Sequence, residues 1–295
     1  MYNRPRLSFD DVLGTSLTLA IHHFGPSGAF LCRPTPHPGP EDPTILLLGS
    51  EIPEGATEGD TLRVFVHLDS EDRPIATTRV PRVELGEVAF LTVTARAPFG
   101  AFVDWGLAKE LLVPLKEQTT ELVIGARHPI GLYVDDSGRL AGTMRVAELL
   151  DQDEPSFVRD AFVDGEAWRN DPDIGLFVIL ERRFVGLVPA SEPHSLARGQ
   201  TSKFRVTHVH PDGRIELSLR KRAHEELDDD ADLILQRLTA SPDLRIGDNS
   251  DPEEIRTHFG LSKKAFKRAA GRLYKRGAVD IAGDGTLRLK KPGPR

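Results

Sequence analysis

The chain has 295 residues, 39% of them hydrophobic, a single cysteine (Cys32) and a formal net charge of −7. This is room for about two to four small globular domains; one cysteine excludes an internal disulfide framework and a cysteine-rich metal site. Net negative charge argues against holding nucleic acid by bulk electrostatics, a mode that neutralises many phosphates. The start, Met1 to Asp11, shows no apolar core behind a basic leader, and no run is long enough to cross a bilayer, so an unexported cytoplasmic protein is expected, with no membrane contact. Acidic residues crowd the middle, at Asp151–Glu154 and Asp228–Asp230, and basic ones the segment from Lys263 onward.

In chain order, one unit occurs three times. Gly28-Ala29-Phe30-Leu31 opens the first copy, which continues through the apolar Ile45–Leu48 and the strand Val64–Asp69 to Arg73. The second copy runs from Gly100-Ala101-Phe102-Val103 through Leu111–Pro114 and Leu132–Asp135 to Arg139, and the third from Gly175-Leu176-Phe177-Val178 through Gly186–Pro189 and Val206–His210 to Arg214. Phenylalanine to turn spans about 33 residues in the second and third copies and about 39 in the first, whose extra length is the proline-rich loop Arg33–Pro43. A unit of roughly 70 residues, all short strands with Gly and Pro punctuation, has the size of a five-stranded barrel. An acidic, irregular stretch near Gln152–Asp171 serves as a linker or a leading strand.

After Arg222 the periodicity turns helical. Asp228–Asp230 place negative charge at the start of a helix through Leu238, where the dipole favours it. Ser250-Asp251-Pro252 caps and opens a second helix, and Gly260-Leu261-Ser262 turns into a third, Lys263–Lys275. Ala278–Ile281 and Thr286–Leu289, joined by Gly283-Asp284-Gly285, make a hairpin. The fold class expected is mainly β with a C-terminal α/β part: barrels at 1–82, 83–150 and 151–224, then a winged helix at 225–295.

The second copy is the best equipped for binding. If Ala101 and Val103 face the core, Phe102 faces out with Asp104, and the bend at Gly100 lets Phe99 join that face, as stacking of an unpaired base requires. The competing reading is a ring packed beneath a neighbouring loop. The other copies have Ser27 and Asp69, or Ile174 and His210, where the second has Phe99 and Asp135; Phe30, Asp69, Arg73, Phe177, His210 and Arg214 are therefore weaker candidates, whose barrels could equally be spacers. On the third helix Lys263, Lys264, Lys267, Arg268, Arg272, Lys275 and Arg276 surround an apolar stripe of Ala265, Phe266, Ala269, Ala270 and Leu273; phosphate contact is the functional reading and a solubilising face the alternative.

The stretch from Phe99 to Val113 resembles an S1 domain, a small OB-fold barrel. The resemblance implies a nucleic-acid face made of Phe99, Phe102 and the segment Asp135-Asp136-Ser137-Gly138-Arg139, with Lys109 beside it; Pro114 departs from the histidine many S1 domains carry there. Three such barrels before a winged helix, with Gly-Ala-Phe-Val-Asp-Trp-Gly-Leu and Leu-Leu-Val-Pro-Leu-Lys-Glu-Gln in the second, resemble the conserved virulence factor B family. That implies a cytoplasmic RNA-binding protein influencing gene expression after transcription, with single-stranded RNA as ligand. Two other readings stand beside it: a transcription regulator reading duplex DNA with the winged helix, and a protein adaptor on the ribosome or an RNA-processing complex. His22-His23, His208 with His210, and His224-Glu225 lack zinc-protease spacing, and Cys32 has no evident base, so no catalytic residue, metal or cofactor is expected.

Overall fold

The computed structural model describes residues 9–36, 39–220, 223–241 and 243–290, those of 223–229 in backbone only. His37 and Pro38 of the proline-rich loop, Pro242, the side chains of Asp228 and Asp229, and those of the pair His224-Glu225 lie outside the described residues.

The first compact unit ends at Ser218 and holds three barrels. Strands β1 (Ser16–Gly25), β2 (Gly28–Cys32), β3 (Ile45–Leu48), β4 (Thr61–Leu68) and β5 (Pro74–Thr77) close in the order β1-β2-β3-β5-β4. Strands β11 (Phe162–Asp171), β12 (Gly175–Leu180), β13 (Phe184–Pro189), β14 (Thr201–Val209) and β15 (Ile215–Ser218) close the same way. The parallel contact that seals each is short: Leu46 and Leu47 with Ile75 and Ala76 in barrel 1, Gly186 and Leu187 with Ile215 and Glu216 in barrel 3. Barrel 2, β6 (Val88–Ala97), β7 (Gly100–Asp104), β8 (Leu111–Pro114), β9 (Arg127–Val134) and β10 (Leu140–Thr143), is a sheet in the order β10-β9-β6-β7-β8. Its ends still meet: a Cβ built on Gly142 of β10 would lie 2.9 Å from the Val113 side chain of β8.

The alternation that makes these segments strands also fills the barrels. In β7, Ala101 and Val103 are buried while Phe102 and Asp104 stand half-exposed on the outer face, as the period-2 pattern requires. The hairpin glycine of each copy is fixed by close approach: a Cβ on Gly28, Gly100 or Gly175 would lie 2.0, 2.5 or 2.0 Å from a carbonyl oxygen of the next strand. Thr77, Thr143 and Ser218, the buried polar residues among those described, share one station at the end of the fifth strand. Each hydroxyl donates to a glutamate after the third strand: Thr77 to Glu51, Thr143 to Glu117 at 2.7 Å, Ser218 to Glu192 at 2.9 Å. Stranding such a group would cost about 1–3 kcal/mol.

The barrels share cores. Phe65 of barrel 1, 1% exposed, packs edge-on against Trp105 of barrel 2 with centroids 5.7 Å apart and belongs to the barrel 2 cluster. Ser16 donates twice to Glu84. Between barrels 2 and 3, Val88, Phe90, Val146, Leu150 and Ile179 make a common cluster with Trp168 against it, and Arg127 bonds Glu166 and the Gly199 carbonyl. Residues 152–161 form no strand and β11 begins at Phe162, so the acidic stretch is linker first and leading strand after.

The second unit begins at Leu219. Its helices are α1 (Ala223–Ala240), α2 (Pro252–Phe259) and α3 (Lys263–Lys275), with the hairpin β16 (Val279–Ile281) and β17 (Leu287–Leu289). Helix α1 begins ahead of the expected start, so Asp228–Asp230 lie inside it rather than at its N-terminus: the helical run reaches back to Ala223, before the boundary expected at 225. The Asp251 carboxylate caps α2 by accepting the Glu253 N–H, with Pro252 next, and the Ser262 hydroxyl caps α3. Gly277, at φ 68°, ends α3, with Ala278 N–H donating to the Leu273 carbonyl. Ile234, Leu238, Ile255, Phe259, Phe266 and Leu273 form the core of this unit. Among the described residues no helix is long and apolar enough to cross a membrane.

Candidate nucleic-acid interface

The outer face of barrel 2 is built by hairpin register. Ala95 of β6 lies across from Phe102 of β7, and Phe102 across from Leu112 of β8. A bulge between Val93 and Ala95 turns β6 over this face, and the extra residue, Thr94, donates its hydroxyl to the Phe102 carbonyl at 3.0 Å. Phe99, in the two-residue turn Pro98-Phe99, is 59% exposed and meets Phe102 edge-on, centroids 6.1 Å apart and planes at 89°. Leu115, whose N–H donates to the Phe99 carbonyl, adds a third exposed apolar side chain. The Phe102 ring is half-exposed beside the exposed ring of Phe99.

Beyond β8 the wall turns polar. Tyr133 of β9 has its hydroxyl buried near Glu117; burial first, then the carboxylates of Glu117, Asp135 and Asp136, push it up to about 12. Asp135 begins the turn between β9 and β10. Burial would raise it, but hydrogen bonds from Ser137 and from the Arg139 backbone outweigh that and hold it below the usual carboxylate range.

The turn cations do not all reach the rings. The Arg139 side chain leaves its own barrel and pairs with Asp72, in the equivalent turn of barrel 1, while its N–H stays with Asp135. Lys109 points the same way, its Nζ 3.4 Å from the Asp69 carbonyl oxygen. Asp104 is bound by Arg82 from the segment joining barrels 1 and 2 and accepts the Gly106 N–H, which together hold it below its ordinary value. The structure therefore brings Phe99 and Phe102 together, and gathers Arg139, Lys109, Asp69 and Asp72 at the seam with barrel 1.

The corresponding residues of the other barrels are differently engaged. Phe30 is stacked by His23, and Phe177 by Arg169. Asp69 folds back on Arg73, and Asp212 on Arg214, each a local turn. His210 bonds Glu216 at 2.9 Å and packs edge-on against His208. Sequence reading missed Ala95, Leu112, Leu115 and Tyr133. The cross-strand residues could be found only by pairing the hairpins, whose turns are Pro26-Ser27, Pro98-Phe99 and the longer Pro172-Asp173-Ile174.

In the second unit, α3 turns Lys264, Lys267, Arg268, Lys275 and Arg276 outward, with Lys263 and Arg272 half-buried. Lys263 is tied to the Ser250 carbonyl and Lys267 lies 3.8 Å from Asp248. Gly271 stands on the same exposed face as Lys264, Arg268 and Lys275, and a Cβ there would meet nothing within 4 Å. Packing within this unit gives no reason for a glycine, and its lack of a side chain leaves the helix backbone open to close approach. Among the described residues no cluster of three His, Cys, Asp or Glu side chains could hold a metal ion.

Comparison with known proteins agrees with this architecture. A family model described as an S1 domain matches residues 13–79 and 85–145, and one described as a CvfB-like winged helix domain matches 232–289. Among named relatives, an uncharacterized Bacillus subtilis protein, YitL, is 30% identical over 90% of each chain. Conserved virulence factor B of Staphylococcus epidermidis is 28% identical over 86% of this chain and 89% of its own. A solved multidomain protein with nucleic acid binding domains from Streptococcus pneumoniae is 26% identical and aligns over 95% of this chain and 99% of its own, at a TM-score of 0.40. S1 and winged-helix domains are nucleic-acid-binding domain types, and nucleic-acid binding is the activity they support here.

Proposed function

The chain belongs to the conserved virulence factor B family, and from that premise we propose that it is a non-catalytic, cytoplasmic RNA-binding protein that regulates gene expression after transcription. Its ligand in this reading is single-stranded RNA. The observation that carries it is the pair Phe99 and Phe102, one exposed and one half-exposed, on the outer face of an S1 barrel. Rings so placed stack unpaired bases; a duplex keeps its bases stacked within itself and gains nothing from them. Basic helix α3 supplies phosphate contacts, and Asp135 orders the turn that carries Arg139.

The test is a fluorescence-anisotropy titration of the full chain against a labelled unstructured RNA and a duplex DNA over a salt series. Tighter binding of RNA with a shallow salt slope is expected. Preference for the duplex would overturn the reading in favour of a DNA-binding regulator, the second reading, which the exposed cations and Gly271 of α3 favour. Binding to neither would leave a protein adaptor on the ribosome or an RNA-processing complex.

A further inference from the structure

Each barrel carries a bulge at the same place on its first strand, between Ile21 and His23, Val93 and Ala95, and Ala167 and Arg169. The residue after the bulge lies across from the phenylalanine of the second strand: His23 from Phe30, Ala95 from Phe102, Arg169 from Phe177. The hairpins differ also in their turns, but this position is the one that decides what lies over the ring.

In barrel 1 the His23 imidazole lies flat on Phe30, centroids 4.7 Å apart and planes 8° from parallel. It is held there by a 2.8 Å hydrogen bond to His22, whose other ring nitrogen meets the Gly39 carbonyl. In barrel 3 the Arg169 guanidinium sits 4.3 Å from the centroid of Phe177 and 5.2 Å from that of Trp168. These are contact geometries for a stacked ring and for a cation on a π face. In barrel 2 the methyl group of Ala95 is too short to cover Phe102, and Phe99 meets that ring edge-on rather than lying across it.

We infer that the residue after the bulge selects which barrels accept a base. Ala95 leaves barrel 2 open, whereas His23 and Arg169 stand in for the base in barrels 1 and 3 and keep those faces latent. The inference rests on the single-stranded RNA reading above. A base entering barrel 3 must displace a cation–π contact comparable in strength with the stack it gains, so the exchange yields little.

The experiment uses the full chain and a fluorescein-labelled oligouridylate, with Ala95→Arg, Ala95→His, Arg169→Ala, Phe102→Ala and the double variant Phe102→Ala/Arg169→Ala. Unchanged far-ultraviolet circular dichroism certifies each fold. Covering Phe102 with either Ala95 substitution is expected to weaken binding about tenfold, the scale of one base stack. Arg169→Ala is expected to restore binding in the Phe102→Ala background and to make Trp168 fluorescence fall on RNA addition; the other tryptophan, Trp105, is buried in barrel 2. Loss of binding in Phe102→Ala with no effect of either Ala95 substitution and no gain from Arg169→Ala would overturn the selector and leave the RNA reading intact. Weaker binding by Arg169→Ala alone would also overturn it, since Arg169 would then be a contact and not a cover. Absence of binding by every variant, Arg169→Ala included, would overturn both.

Discussion

Barrel 2 and the C-terminal unit present opposite surfaces. Barrel 2 shows its rings and pairs off its charge: Phe99 and Phe102 stand out, while Arg82, Arg96 and Arg139 are bound to Asp104, Glu121 and Asp72. Helix α3 does the reverse, burying Phe266 and turning lysines and arginines to solvent. A surface of rings holds bases almost independently of salt, and a surface of cations holds phosphates through counterion release. A chain of net charge −7 can thus bind a polyanion, because only one small region needs to be positive.

The sharpest way to break this comparison is Phe99→Ala/Phe102→Ala. Affinity for unstructured RNA should fall by about 1–3 kcal/mol for each stack lost, with the slope of log K against log salt unchanged. Replacing Lys264, Lys267, Arg268 and Lys275 by glutamine should do the opposite: the slope should shrink by up to about three, at roughly 0.7 per phosphate contact on a single strand, while the stacking contribution survives. An equal change of slope in both variants would show that rings and cations act as one site.

Titration separates the two units further, because resolved shifts of buried neutral groups lie among the barrels. Tyr133 is held at about 12, above its unfolded value near 10. Its contribution is fully present below pH 10 and is lost as pH rises toward 12, since the unfolded chain releases its proton first. His67, at the same station of barrel 1, is pushed below its usual value by burial, so there the unfolded chain takes up a proton first and stability is lost as pH falls below 6.5. Tyr133→Phe should flatten the alkaline limb of the barrels' unfolding curve and His67→Gln the acid limb. The smallest effect expected is Gly271→Ala, which should stabilise the C-terminal unit by about 0.5–1 kcal/mol. A drop in nucleic-acid affinity in that variant would identify the glycine as a point of close backbone approach.

The repeat was legible because its marks are local. Gly-x-Phe, an apolar strand and an arginine-ended turn recur in each copy, and period 2 puts Ala101 and Val103 inside and Phe102 out. The winged helix was legible from the cap at Asp251, which does act as one, and from the glycine turn at 260–262, where Ser262 proves to be a second cap. What the sequence hid is what one repeat does to another. Arg139 looks like a free turn arginine until Asp72, from the preceding copy, is placed beside it, and Lys109 likewise turns to the Asp69 carbonyl. Ala95 carries no signal by itself, for its meaning lies in the ring it fails to cover. The start of α1 was misplaced because three aspartates mimic a helix N-terminus, while the helical run continues upstream of them to Ala223.

Phe65 gives barrel 1 a debt to its successor. The side chain belongs to β4 and stacks on His67 of the same strand, yet it packs edge-on against Trp105 and lies in the core cluster of barrel 2. On the ribosome the first barrel therefore emerges able to pair its own strands but with a large ring uncovered, and it completes its burial only when the second barrel folds against it. A nascent chain stalled between the first two barrels is therefore expected to expose the Phe65 ring to aggregation.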